Sequence, residues 1–266
     1  SLSDFDYDLP EALVAQEPVS PRDASRLLVL PAEGAPEHRG FAELEILLSP
    51  GDLLVFNDTK VIPARLVGRK ESGGKVELLL CEPLAGALGR RWRALGQASK
   101  VIRAGSLLAF DGLAARVVES EGEGFYVVEL DREGEALEAA LGRAGTIPLP
   151  PYIRREPDAR DRARYQTIWA RAPGSAAAPT AGLHFTEALV ARLEARGVRR
   201  TAVTLHVGPG TFLPVRGESI EAHRMHPERY EVSPEAAAEI DACRARGGRV
   251  VAVGTTSVRT LESAFD

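Results

Sequence analysis

The chain has 266 residues, of which 44% are hydrophobic, and its formal net charge is −5. That length suffices for one large domain or two modest ones with a sizeable core. The acidic balance argues against a protein that coats nucleic acid nonspecifically; no apolar run approaches the roughly 20 residues of a membrane span, and the acidic N-terminus does not read as a signal sequence.

In chain order, Leu9 to Gln16 reads as a short helix. Pro18, Pro21 and Asp23 mark a loop before a strand from Arg26 to Leu30. Phe41 to Leu48 has apolar residues at helical spacing and stops at Pro50-Gly51, and Asp52 to Asn57 reads as a buried strand ending in a polar Asn57-Asp58-Thr59-Lys60 turn. From Leu66 the texture turns to short β runs: Val76 to Cys81, Arg91 to Leu95, Ser106 to Phe110, Ala114 to Glu119 and Phe125 to Leu130. Strands at such regular spacing predict a small antiparallel barrel. Glu135 to Leu141 reads as a helix, and Pro148-Leu-Pro-Pro151 as a stiff exit linker.

After the linker, helix and strand alternate: Glu187 to Arg196, Val198 to Leu205, Pro234 to Arg246, Arg249 to Val253, then a helix capped by Thr256 or Ser257. Ser233 as N-cap, Pro234 at N1 and Gly247-Gly248 as stop delimit the third of these. Alternation of this kind implies parallel pairing. The expected fold is therefore an α/β main domain (1–65 plus 150–266) with an inserted small antiparallel β-barrel domain (66–149).

Two strings stand out between Ala178 and Pro214. Ala178-Pro-Thr180-Ala-Gly182-Leu-His184-Phe-Thr186 and Thr204-Leu-His206-Val-Gly208-Pro-Gly210-Thr211-Phe-Leu-Pro214 each set a histidine among glycine, proline and threonine. Gly and Pro fix loop geometry, hydroxyls and loop N–H groups supply hydrogen bonds, and histidine titrates near neutral pH. The second string follows a strand, where α/β folds bind ligands, so the two read as an active-site floor. A third string, Val250 to Glu262, runs strand, Gly254, Thr255-Thr256-Ser257, then helix with Arg259. Such a helix start suits a carboxylate.

With Gly51–Arg65, His223–Ser233 and the opening Phe5-Asp-Tyr-Asp-Leu-Pro10, these strings resemble, in order and over the whole chain, the S-adenosylmethionine:tRNA ribosyltransferase-isomerase family of queuosine biosynthesis. The resemblance implies the same two-domain plan. It also implies transfer of the ribosyl unit of S-adenosylmethionine onto a 7-aminomethyl-7-deazaguanine in a tRNA anticodon loop, with its isomerisation to an epoxycyclopentane and release of adenine and methionine. Members usually continue for several dozen residues past the Thr-Ser-Val-Arg-Thr-Leu-Glu-Ser motif, so the α/β domain is expected to be incomplete at its C-terminal end.

That reaction needs a base near C5′, acidified by the sulfonium, and an acid for the departing adenine. His184 and His206 are the first candidates for proton transfer, with Asp58 a third. Thr180, Gly182, Gly208, Gly210, Thr211, Thr255, Thr256 and Arg259 are candidates for holding S-adenosylmethionine. No metal is expected, although His223 and His226 with nearby glutamates raise a zinc alternative that Pro227 disfavours. Trp92 and Trp169 are as well explained by packing as by base stacking.

For the RNA, the basic residues are 29 Arg and 4 Lys, and the stretch from Pro150 to Arg171 is +3. Arg154, Arg155, Arg162 and Arg164, with Lys60 and Arg65, are the expected RNA contacts. Cys81 and Cys243 show no metal spacing and read as thiols of a reducing cytoplasm; by resemblance the protein is a monomer. Two other classes compete: a S-adenosylmethionine-dependent methyltransferase, which lacks a G-x-G-x-x-G loop here, and a non-catalytic RNA-binding module.

Overall fold

A run of five consecutive buried residues, β3 below, organises the main sheet. The computed structural model describes residues 2–84, 88–213, 220, 223 and 225–264. In chain order its strands are β1 (Arg26–Val29), β2 (Glu37–Gly40), β3 (Leu53–Asn57), β4 (Thr59–Val61), β5 (Arg65–Lys70), β6 (Lys75–Pro83), β7 (Arg91–Ala98), β8 (Leu107–Phe110), β9 (Leu113–Gly122), β10 (Phe125–Leu130), β11 (Gly145–Thr146), β12 (Ala172–Ser175), β13 (Arg199–Leu205), β14 (Tyr230–Glu231) and β15 (Val250–Val253). The helices are α1 (Leu44–Leu47), α2 (Gly134–Ala144), α3 (Asp161–Arg164), α4 (Glu187–Ala195), α5 (Pro234–Ala245) and α6 (Thr255–Ala264).

The main sheet has the order β14-β13-β3-β15, with β13 and β15 both parallel to β3. Side chains alternate along β3. Leu54 and Phe56 pack with Leu189, Val190 and Leu193 of α4, while Leu53 and Val55 pack with Ile240 and Cys243 of α5. A sheet covered on both faces explains why β3 reads as a continuous apolar run rather than an alternating one. The caps of α4 and α5 follow the sequence: Thr186 Oγ1 accepts from Leu189 N, and Ser233 Oγ accepts from Ala236 N.

The second large sheet is antiparallel, in the order β11-β5-β6-β7-β10-β9-β8, and a β5–β8 pairing closes six of its strands into a barrel. Its interior holds Leu66, Val76, Leu78, Trp92, Leu108, Val128 and Leu130, and α2 closes it with Leu137, Ala140 and Leu141. Closure depends on Gly68, where an added Cβ would meet Ala109 O at 2.1 Å.

Several local expectations are corrected. Only Glu11–Leu13 of the first predicted helix winds, as a 3₁₀ turn with no buried residue; Leu9 and Leu13 have nothing to pack against, being 51% and 68% exposed. The Asn57–Lys60 segment is not a turn: Thr59 starts β4, which pairs in parallel with β12, and Asp58 and Thr59 are buried. Neither Thr256 nor Ser257 caps α6, which already begins at Thr255 after Gly254 at φ +88°. Ser257 Oγ instead donates back to Val253 O. In the exit linker, Pro148 and Pro150 are buried.

Candidate active site

Strands β3, β13 and β15 run in parallel and end side by side, with Val203 opposite Asn57 and Val253 opposite Phe56. The polar groups just past those ends therefore converge. Asn57, 1% exposed, ties them together. Its Nδ2 donates to Leu205 O at 2.9 Å and to Thr256 Oγ1 at 3.3 Å, and its Oδ1 accepts from Leu205 N and Thr59 N. Because Leu205 offers both an N–H and a C=O, only one orientation of the amide satisfies both.

His206 follows β13 directly. Its Nδ1 lies 2.9 Å from Thr59 Oγ1. Gly174, at φ +140°, makes room for the ring: a Cβ there would sit 3.1 Å from His206 Cε1. Burial, and then the nearby Arg229 charge, push the imidazole below its usual range, against smaller opposing pulls from Asp58 and Glu231. The ring is therefore neutral at pH 7. A hydroxyl partner accommodates either neutral tautomer.

His184 differs. Its Nδ1 is 3.1 Å from Ala181 O, and a carbonyl can only accept, so Nδ1 carries a proton. The neutral ring then presents a bare Nε2. Its ring centroid lies 5.2 Å from that of Phe41. The 3₁₀ turn Thr180–His184 that carries it packs tightly: a Cβ on Gly182 would meet Thr167 Cγ2 at 2.8 Å, and one on Gly254 would meet Ala181 Cβ at 3.0 Å.

Two cavities bear on these groups, and the turn lines only the second. The first, about 590 Å³, lies where the barrel meets the carboxyl ends of the strands and is lined by Glu123, Phe125, Gly210, Thr211, His223, His226, Glu228, Thr255, Thr256 and Arg259 among others. Glu228 braces it: one carboxylate oxygen accepts from Gly208 N at 2.8 Å, and the other pairs with Arg259, which also donates to His226 O. Glu123, on its rim, is the one non-glycine residue with positive φ (50°) among the described residues. The second cavity, about 570 Å³, is bounded by residues 15–26 and 149–155, α3, and Thr180, Leu183 and His184.

The predicted site residues thus divide. Gly210, Thr211, Thr255, Thr256 and Arg259 line the first cavity; Thr180, His184, Arg155 and Arg164 line the second. Gly182 and Gly208 line neither: Gly182 packs on Thr167, and Gly208 N donates to Glu228. Asp58, 3% exposed at its side chain, is turned inward, accepting from Thr204 Oγ1 at 2.6 Å and pairing with Arg171 at 2.8 Å. Lys60 is exposed on β4. Arg65 pairs with Glu77 and Glu156, Arg154 with Glu11, and Arg155 with Asp161 and Glu17, while Arg162 donates to Gly145 O. Among the described residues no group of three His, Cys, Asp or Glu is placed to hold a metal ion. Trp169 is a packing residue, stacked on Phe56 with centroids 4.0 Å apart, and Trp92 is fully buried.

The family model described as "Queuosine biosynthesis protein" matches residues 2–266. The chain belongs to the queuosine biosynthesis protein family. It is 81% identical over 264 residues to an Anaeromyxobacter sp. protein named S-adenosylmethionine:tRNA ribosyltransferase-isomerase, covering 99% of this chain and 76% of that one. A protein of the same name from Gloeobacter violaceus is 55% identical, with 98% and 72% covered. The crystal structure of a S-adenosylmethionine tRNA ribosyltransferase from Thermotoga maritima is 35% identical, covers 98% of this chain and 72% of its own, and superposes with a TM-score of 0.45.

Three residues of this queuosine-family site escaped the sequence reading, and a fourth, Glu228, was noticed only as a glutamate of the zinc alternative. Asn57 and Thr59 lay inside a noticed string but were passed over for their charged neighbour Asp58. Gly174 carries no local signal, and the bracing role of Glu228 appears only when it meets Gly208 and Arg259 in the fold.

Proposed function

We propose that this chain is a S-adenosylmethionine:tRNA ribosyltransferase-isomerase whose co-substrate occupies the cavity between barrel and strand ends. One observation carries the assignment of the site: residues 210–211 and 255–259, far apart in sequence, line one cavity beside the tied ends of three parallel strands. That is where open α/β sheets bind ligands. Charge supports the reading. S-adenosylmethionine bears a sulfonium and an ammonium against one carboxylate, a net +1; the cavity sets Glu123 and Glu228 against Arg259, a net −1. Thr211, Thr255 and Thr256 offer hydroxyls, and the start of α6 favours the carboxylate.

His206, next to the strand ends, and His184, whose bare Nε2 belongs to the second cavity, are the candidate proton carriers. Asp58 serves by anchoring the chain beside Thr59 rather than by touching substrate. The acceptor in this reading is the aminomethyl group of a 7-deazaguanine in the anticodon loop of tRNA, as the family resemblance implies. Residues 66–149, which hold the closed barrel and most of a separate core, form the inserted domain, and residues 1–65 with 150–266 the catalytic one. A monomer in the cytoplasm is the expected setting; two buried free cysteines suit it, and burial pushes the Cys81 thiol up to about 12, where it is inert.

Mass spectrometry of a reaction with S-adenosylmethionine and tRNA bearing the modified base tests this. Adenine, methionine and a heavier tRNA are expected. S-adenosylhomocysteine as the product would place the protein among methyltransferases instead.

A further inference from the structure

The second cavity has a charge the first lacks. Its walls carry Arg22, Arg26, Arg155 and Arg164 against Glu17 and Asp161, a net +2. Both carboxylates are already engaged: Asp161 by Arg155 in a two-pronged pair, and Glu17 by Arg155 and Arg160. Among the described residues Arg22 and Arg164 have no acidic partner.

Their hydrogen bonds go to carbonyls only. Arg22 donates from Nη1 to Gln166 O and Leu183 O and from Nη2 to Ala163 O; Arg164 donates from Nη2 to Val19 O. Of five N–H groups on each guanidinium, two remain on Arg22 and four on Arg164. Both side chains are half-buried. Burial and the neighbouring Arg164 charge each push the Arg22 guanidinium below its usual range, so the two cations are close enough to repel. Holding two like charges together in a largely apolar hollow is costly unless an anion joins them.

We infer that this cavity seats one nucleotide of the RNA substrate, its phosphate bridging Arg22 and Arg164 and its base or ribose lying on the apolar wall of Leu149, Tyr152, Ile153 and Leu183. A phosphate takes bidentate donation from guanidinium groups, and every nucleotide adds an apolar face for a tyrosine to meet. S-adenosylmethionine is the wrong occupant, because its net positive charge opposes the two arginines. His184 lines the same cavity, so the bound nucleotide would lie beside this candidate proton carrier. The inference deepens the proposed function and rests on it for the identity of the RNA.

The test is tRNA binding by the full chain across a series of salt concentrations. R164A is expected to weaken binding and to flatten the slope of log K against log salt by about 0.7 to 0.9, the value for one phosphate contact. R22Q, with its melting temperature checked because Arg22 also ties three carbonyls, should flatten it equally. R200A, which removes a charge already matched by Glu194 near the start of β13, should leave the slope as it is. Equal slopes in R164A and wild type overturn the inference; so does an equal loss in R200A and R164A, which would mean a diffuse charge effect. A raised KM for S-adenosylmethionine in R164A with an unaltered slope would assign the anion to the co-substrate and also overturn it. Adenine release is read in parallel. Wild type that releases adenine while R164A keeps the full slope fails this inference alone, and a reduced slope without any adenine release fails the proposed activity alone.

Discussion

The Thr59 hydroxyl lies 2.9 Å from Nδ1 of His206, and neither residue's backbone is free to move away. Thr59 is fully buried at the start of β4, and the His206 ring is confined by Gly174. The hydroxyl fixes the ring's orientation, and loss of that hydrogen bond is expected to cost about 1 kcal/mol or somewhat more. T59V should lower kcat about tenfold and T59S should restore most of it. If His206 carries a proton in turnover, T59V also moves the acidic limb of the kcat/KM profile, a shift that a merely structural role would not produce. An unmoved limb would remove His206 from proton transfer.

The same imidazole gives a sign for pH dependence. Its folded value lies below the ordinary histidine value, so the folded state binds fewer protons than the unfolded chain. Stability from this group is present above about pH 6.5 and declines as pH falls through the ordinary value toward the depressed one. Urea unfolding of H206Q should lack that component below about pH 6.5; an identical dependence in wild type and variant would contradict it.

Glu228 links the Gly208 turn to α6 through Arg259. Its removal leaves a partly buried guanidinium without a counter-charge, so E228A is expected to lose about 2 to 3 kcal/mol and to weaken S-adenosylmethionine binding. The double variant E228A/R259A should recover part of the stability but not the binding. Calorimetric titration and thermal melts separate the two effects, and full additivity would show that the pair does not couple.

At the opposite end of β3, Asp52 is 3% exposed and holds Arg249 at 2.5 Å while accepting from Ser49 N at 2.7 Å. The Arg249 hydrogen bond, foremost, keeps its carboxyl below the usual range. A depressed carboxylate stabilises above its unfolded value of about 3.9 and loses that contribution as pH falls through the folded value. D52N is expected to lower stability at pH 7 by about 1 to 3 kcal/mol and to flatten the acid limb of the stability curve.

Barrel closure gives a purely structural prediction. At Gly68 a methyl group would stand 2.1 Å from Ala109 O, a backbone atom that cannot yield without breaking the β5–β8 ladder. G68A should therefore destabilise the barrel by about 3 kcal/mol. Near-ultraviolet circular dichroism of Trp92, inside the barrel, reports the loss, and a native spectrum with unchanged melting would refute it.

The sequence made the α/β plan legible because β3 and β15 are mainly apolar runs and β13 ends in Ala202, Val203 and Leu205, separated by helices with Ser, Thr and Gly boundaries. The barrel was legible as repeated short strands. Its closure was not, since two residues of β5 meet two of β8 some forty positions on. Leu9–Gln16 had helical spacing but no partner surface, and spacing alone does not supply one. In the site, the histidine and threonine strings were visible because Gly and Pro crowd them. The two cavities of opposite charge were not visible: the first needs residues 207–211, 225–228 and the start of α6 brought together, and the second needs Arg22, among unremarkable loop residues, folded beside Arg164.

The central claim is that the ribose of S-adenosylmethionine, not its methyl group, is passed to the RNA. Co-substrate labelled with carbon-13 throughout the ribose, incubated with the chain and the modified tRNA, decides this by nucleoside mass spectrometry. The account predicts five labelled carbons on the tRNA base, with unlabelled adenine and methionine released. A label found only in S-adenosylhomocysteine, with an unlabelled methyl group on the tRNA, would contradict it.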